Sequence, residues 1–87
     1  MGNTAAKILT PTNGSDVSGT VSIQTQVSAQ VLWEDLYIDK NYIASFPSSF
    51  SWESTAVANG PHTITIKAFN RSDALIGGAR VAITVDN

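Results

Sequence analysis

One histidine, His62, no cysteine and seven acidic residues set the chemistry that this chain could attempt. A hydroxyl-based hydrolase needs a nucleophile on a strained turn, next to a histidine that is itself oriented by a carboxylate. Thr63 and Thr65 lie beside His62, but both belong to a stretch that alternates like a regular strand. His62 is therefore expected to cap the Asn59-Gly60 turn by hydrogen bonding, and no catalytic residue is assigned. One imidazole without a thiolate cannot close a transition-metal site unless several carboxylates converge on it. Calcium asks for about six to eight oxygens. The acids Asp16, Glu34, Asp35, Asp39, Glu53, Asp73 and Asp86 are scattered, with no loop of alternating aspartates. A carboxylate pair for glycoside hydrolysis could be drawn from Glu34, Asp35 and Glu53, yet the neighbours Glu34 and Asp35 would point to opposite faces of a strand. The acids are expected to be solvated, and neither a metal nor a cofactor is expected.

The more informative residues are aromatic. Trp33 and Tyr37 share one parity of a strand, and Phe69 has outward parity on the strand expected beside it. Sugars present apolar C–H faces that stack on such rings, while their hydroxyls need polar partners, for which Asp35, Lys67, Asn70 and Arg71 are in reach. Against this stands the ordinary role of large outward side chains on neighbouring strands, which pair across the sheet for roughly 0.2–1 kcal/mol and shield it. An exposed apolar patch of this kind can also mark a protein contact.

The elements that would position these residues are strands. Period-two alternation rich in Val, Ile and Thr recurs along the chain, and no stretch sustains the spacing of an amphipathic helix. Lys7 to Thr10 reads as a first, edge strand, ended by Pro11 and the turn residues Thr12-Asn13-Gly14. Between Gly19 and Ala29, Val21, Ile23, Thr25 and Val27 alternate with Ser22, Gln24, Gln26 and Ser28, one apolar face against one solvated face. A third strand over Val31 to Asp39 puts Leu36 and Ile38 inward. Glu34 has the same parity, so it is expected near the sheet rim, paired, or displaced by a bulge, because an unpaired buried carboxylate is costly. Lys40-Asn41 is expected to form a tight hairpin turn into Tyr42–Ser45, since Asn tolerates positive φ. Phe50 and Trp52 read as the two largest core residues. After the turn Asn59-Gly60-Pro61, Ile64, Ile66 and Ala68 face inward on a central strand. A polar connection from Asn70 to Gly77-Gly78 leads to a last strand with Val81, Ile83 and Val85.

At 87 residues the chain has room for one domain and one core. Its 43% hydrophobic and 14% charged residues are a globular composition, low in charge. A net charge of −2 supplies no field for phosphates or anionic lipid, so neither nucleic acid nor membrane is expected as a partner. Without cysteine, the core must hold the fold alone. Met1-Gly2 reads as an added start, with any export signal upstream, and the domain as residues 3–87 of a module taken from a longer protein.

The ordered signals Pro11, Asn13-Gly14, Val17-Ser18-Gly19-Thr20-Val21, Leu36-Tyr37-Ile38-Asp39, Phe50-Ser51-Trp52 and Asn59-Gly60-Pro61-His62-Thr63 form one pattern. It resembles the bacterial Ig-like domain family over nearly the whole chain. The chain departs from that pattern at Lys40, where a glycine is usual, at Glu34, where an apolar residue is usual, and at Arg71-Ser72-Asp73, where an Asp-x-x-Gly turn is common. The resemblance implies an immunoglobulin-like β-sandwich of about seven antiparallel strands. It also implies a secreted or cell-surface setting, as an accessory or spacer module of a larger bacterial protein, expected to be a polysaccharide-active enzyme. The expected role is non-catalytic, with neighbouring domains as partners and the chain itself monomeric. The alternatives are a carbohydrate-binding module using Trp33, Tyr37 and Phe69 with Asp35, Lys67, Asn70 and Arg71, or an adhesive interaction domain.

Overall fold

The computed structural model describes residues 6–87, so the expectation for Met1-Gly2 and the start of the domain at residue 3 lie outside the described residues. The alternating segments form two facing sheets. One holds β1 (Ala6–Thr10), β3 (Thr20–Val27) and β6 (Ser49–Glu53) in the order β1-β3-β6. The other holds β2 (Ser15–Val17), β4 (Trp33–Ile38), β5 (Asn41–Phe46), β7 (Gly60–Phe69) and β8 (Leu75–Val85) in the order β2-β8-β7-β4-β5. A short 3-10 turn, Ser54–Ala56, follows β6. No helix among the described residues is long and apolar enough to cross a membrane.

Parity decides what lies between the sheets. Ala6 and Ile8 from β1, Val21 and Ile23 from β3 and Trp52 from β6 face Leu36, Ile38, Ile64, Ile66, Ala68, Ile83 and Val85 from the larger sheet. Fully burying one such aliphatic side chain stabilises by about 1.5–3 kcal/mol. Trp52 is buried as expected, whereas Phe50 is only half-buried at the rim, stacked on the buried Phe46 at 5.7 Å between ring centroids. Glu34 is fully buried with inward parity, so it is neither at an exposed rim nor displaced. The irregularity in the β4–β5 pairing falls between Leu36 and Tyr37 instead.

Three local features differ from the sequence expectation. The described residues form eight strands, and one pair is parallel, β2 against β8. After Pro11 the chain crosses to the larger sheet, where Asn13 Oδ1 accepts the Ala82 N–H at 2.8 Å and the Gly14 N–H donates to the Ala82 carbonyl at 2.7 Å. Three residues then suffice to line the edge of β8, too few to show an alternation. The β4–β5 turn is centred on Asp39 (φ 52°) and Lys40 (φ 73°), while Asn41 already opens β5. Two consecutive positive φ angles are what a two-residue loop needs to match strand twist. Finally, the β7–β8 turn closes within Asn70–Ala74, because Asn70 Oδ1 accepts the Ser72 and Ala74 N–H groups at 2.9 and 3.1 Å. Gly77 and Gly78 therefore sit inside β8 rather than in the connection.

The pairing register also fixes the poles. Ala6 opposes Val27, whose loop leads directly into Trp33, next to Phe69 and Leu75. Val85 opposes Gly60 and Val17 at the far end. The first strand thus starts at one pole and the last ends at the other, in a body measuring 38 × 25 × 18 Å.

A Cβ placed on Gly78 would lie 2.7 Å from the Ile66 backbone oxygen, closer than packed atoms approach. Gly78→Ala should therefore destabilise the domain by about 1–3 kcal/mol as β7 and β8 are pushed apart. Thermal melting should show a drop of about 4–8 °C for each kcal/mol lost; an unchanged melting temperature would show that the two strands separate without cost.

Candidate functional site

The register of the larger sheet brings the aromatic residues onto its outer face in rows. Trp33 on β4 pairs with Phe69 on β7, which pairs with Leu75 on β8. The next row holds Ser45, Asp35, Lys67 and Gly78, and the third holds Tyr42, Tyr37, Thr65 and Arg80. Alternate residues of a strand share a face, so successive rows are about 7 Å apart.

Within this face the rings engage one another. Trp33 and Phe69 stack with centroids 5.4 Å apart and planes within 12°, so each turns one face to the other. Tyr37 and Tyr42 form an edge-to-face pair at 5.8 Å between centroids, and the Lys67 ammonium sits 4.6 Å from the Tyr37 ring centroid, a cation–π contact that covers part of its face. The Ser45 hydroxyl donates to Asp35 Oδ1 at 2.7 Å. Its single proton being used there, the Tyr42 hydroxyl must be the donor in its 2.7 Å contact with Ser45.

Of the seven residues nominated from sequence, Trp33, Tyr37, Phe69, Asp35 and Lys67 share this face. Asn70 and Arg71 do not. The Asn70 side-chain oxygen caps its own turn, and Asn70 and the exposed Arg71 border a second hollow with Ala29, Gln30, Val31 and Leu32. Sequence reasoning missed Tyr42, Leu75 and Arg80. Leu75, Gly78 and Arg80, with Thr65 and Lys67, line a shallow hollow beside the aromatic rows. Carrying the alternation of β8 back past Val81 would have placed Arg80 and Gly78 outward.

The other chemistry-bearing residues do not form a common site. Glu34 points inward and Asp35 outward, while Glu53 lies on the smaller sheet. There it accepts from Thr20 at 2.8 Å and from Thr55 at 2.9 Å, bonds that hold its carboxyl below the ordinary value. Among the described residues no three His, Asp or Glu side chains converge.

His62 joins two turns. Its Nε2 is 2.7 Å from the Ala58 carbonyl, which can only accept, so Nε2 carries a proton. Its Nδ1 meets Asp39 Oδ2, and Asp39 Oδ1 accepts the Thr63 N–H at 2.9 Å. The hydrogen bond to Asp39 raises the His62 pKa, with the Ala58 carbonyl acting in the same sense. Burial pushes the Asp39 carboxyl up, but the bonds from His62 and Thr63, with the His62 charge, bring it below its ordinary value. The ring, an imidazolium below its raised pKa, therefore clips the β4–β5 turn to the loop before β7. Ala58 fits the turn-capping role expected from sequence; the tie to Asp39 had no local signal, because the two residues are 23 positions apart.

A family model described as a bacterial Ig domain matches residues 5–66, more than half of the chain. Among solved structures, the fibronectin(III)-like modules of CbhA from Clostridium thermocellum are similar, with 23% identity and a TM-score of 0.76 over 93% of this chain and 95% of that one. A part of the endo-beta-1,4-mannanase from Thermotoga petrophila is similar at 12% identity and a TM-score of 0.81; it covers the whole of this chain, which spans 20% of the mannanase. The spore cortex lytic enzyme SleM of Clostridium perfringens matches at 16% identity and a TM-score of 0.50, over 85% of this chain and 28% of that one. No curated protein sequence matches the chain. At these identities the likeness is one of fold.

The His62–Asp39 clip carries a pH signature. A raised histidine pKa contributes stability that is complete below the unfolded value of 6.5 and is lost as pH rises through the folded value. The Asp39 contribution is present above 3.8 and is lost as pH falls through its depressed folded value. Thermal melts of the parent chain and His62→Gln should therefore differ most between these limits and converge as pH rises well above 6.5. A difference independent of pH would mean that His62 is not charged in the folded domain.

Proposed function

The chain belongs to the bacterial Ig domain family, and from that premise we propose that it is a non-catalytic accessory module, a spacer within a larger extracellular bacterial protein that acts on polysaccharide. One observation carries the spacer role. The first strand begins at one pole of a 38 Å body and the last ends at the other, so a chain running through the domain is held extended along its long axis. Domains attached on either side would be kept apart by the sandwich. The similarity to part of a mannanase and to part of a spore cortex lytic enzyme supports a polysaccharide-active setting.

A second function is favoured by the shared outer face of Trp33, Tyr37, Phe69 and Lys67, which could hold a glycan through whatever ring surface their mutual contacts leave open. It competes with the cross-strand role of the same rings.

Small-angle scattering on the chain fused between two folded reporter domains tests the spacer. A narrow distribution of reporter separations that includes the length of the sandwich is expected, and a broad one like that of a flexible linker would contradict it. The glycan reading separates cleanly in affinity gels containing plant and microbial polysaccharides. A pure spacer migrates unretarded, whereas retardation abolished by Trp33→Ala, with circular dichroism unchanged, would make the aromatic face a sugar site.

A further inference from the structure

Glu34 is the one fully buried acidic side chain among the described residues, and its partners lie on the opposite sheet. It stands inward on β4 between Phe46 of β5 and Ala68 of β7. Its Oε2 is 2.7 Å from Thr25 Oγ1 on β3. The same Oγ1 is 3.0 Å from the carbonyl oxygen of Ser48, which also accepts the Thr25 N–H at 3.0 Å. Ser48 belongs to the short crossing by which the chain passes from β5 in one sheet to β6 in the other. The second carboxyl oxygen, Oε1, is buried with no hydrogen-bond donor among the described residues.

Counting protons decides the charge state. Thr25 Oγ1 has two oxygen neighbours at hydrogen-bond distance but only one proton to give. If Glu34 were ionised, that one proton would have to serve both oxygens, as a weaker three-centre bond or with one contact left unbridged. Oε1 would also carry part of a negative charge with no protein donor beside it among the described residues, a desolvation cost of several kcal/mol. A proton on Oε2 resolves both problems. Glu34 then donates to Thr25, and Thr25 donates to the Ser48 carbonyl. Oε1 is left as a neutral carbonyl-type acceptor, whose lack of a partner costs much less.

Among the described residues no charged group on the facing strands favours ionisation. β5 presents Phe46 inward, β7 presents Ala68 and Ile66, β3 presents Thr25 and Ile23, and β1 beside β3 presents Ile8. The charged Lys7, Asp35 and Lys67 stand on the outward parity of their strands. Burial raises the Glu34 pKa, and a Thr25 hydroxyl turned to donate to the ionised carboxylate would oppose this only in part.

We infer that the folded domain carries Glu34 as the uncharged acid, and that its proton closes a Glu34–Thr25–Ser48 clasp between the sheets that loosens when Glu34 ionises. The sign of the effect follows. A carboxyl that holds its proton more tightly when folded gives full stabilisation below the unfolded value of 4.5, and loses it as pH rises from there to the folded value. Each pH unit between the two values is a tenfold change in the ratio of folded to unfolded chain.

The test is carboxyl carbon-13 NMR of the whole chain across pH, with urea unfolding of the parent, Glu34→Gln and Thr25→Val alongside. Glu34→Gln replaces the O–H donor with an N–H donor and keeps the clasp. The Glu34 resonance should stay at its protonated position at a pH where that of Glu53 has already moved. The parent should lose stability relative to Glu34→Gln as pH rises above 4.5, and Thr25→Val should weaken the clasp at every pH. A Glu34 resonance that titrates with or below that of Glu53 would overturn the inference, and this readout stands even if a variant fails to fold. Parallel pH profiles for the parent and Glu34→Gln would overturn it independently.

Discussion

Everything in this domain depends on two rows of apolar side chains meeting between the sheets. With no cysteine, no covalent tie holds β3 and β6 against β4 and β7. Ile23, Leu36, Ile64 and Ile66 have no exposed surface, and the nearly buried Trp52 completes the contact. The side-chain period of a strand is two, so a slip of one residue in β4 or β7 would turn the whole inward set to solvent. The same constraint makes Glu34 consequential. It occupies a position in the inward row of β4, so it must meet the requirements of the core, and it does so through Thr25 of the facing sheet.

How much of this could be read from the chain varies with how much of each strand is buried on one side. The inward sets of β3, β4 and β7 were legible because a half-buried strand has to alternate. β2 was not, because three residues have too little length to alternate and its pairing is set by the distant β8. Asp39 and Lys40 adopt positive φ because the hairpin requires it there, although the adjacent Asn41 is the residue type that adopts it more readily. Gly77 and Gly78 resembled a loop by composition but serve β8, where the backbone of β7 comes too close for a side chain at Gly78.

The aromatic face was legible in part for the same reason. Parity alone placed Trp33, Tyr37 and Phe69 outward, and register then stacked Trp33 on Phe69. Parity says nothing about where a strand ends, so Asn70 and Arg71, next in sequence to Phe69, were expected on the face but belong to the turn. Contacts between distant segments, His62 with Asp39 and Glu34 with Thr25, left no trace in spacing. In both, the hydrogen-bond geometry favours one protonation state, His62 as a cation below its raised pKa and Glu34, as inferred above, as a neutral acid. The first clip holds the pole where Asp39 turns, and the second holds the crossing at Ser48.

Facing apolar rows should make this chain a self-sufficient body, as the proposed spacer role requires. Guanidinium unfolding of the isolated chain is the test, followed at once by tryptophan fluorescence, which reports on the buried Trp52 and the half-buried Trp33, and by far-ultraviolet circular dichroism, which reports on the sheets. Two coincident, reversible transitions without any ligand or neighbouring domain are the predicted result. Loss of the tryptophan signal before the sheet signal, or no cooperative transition at all, would contradict it.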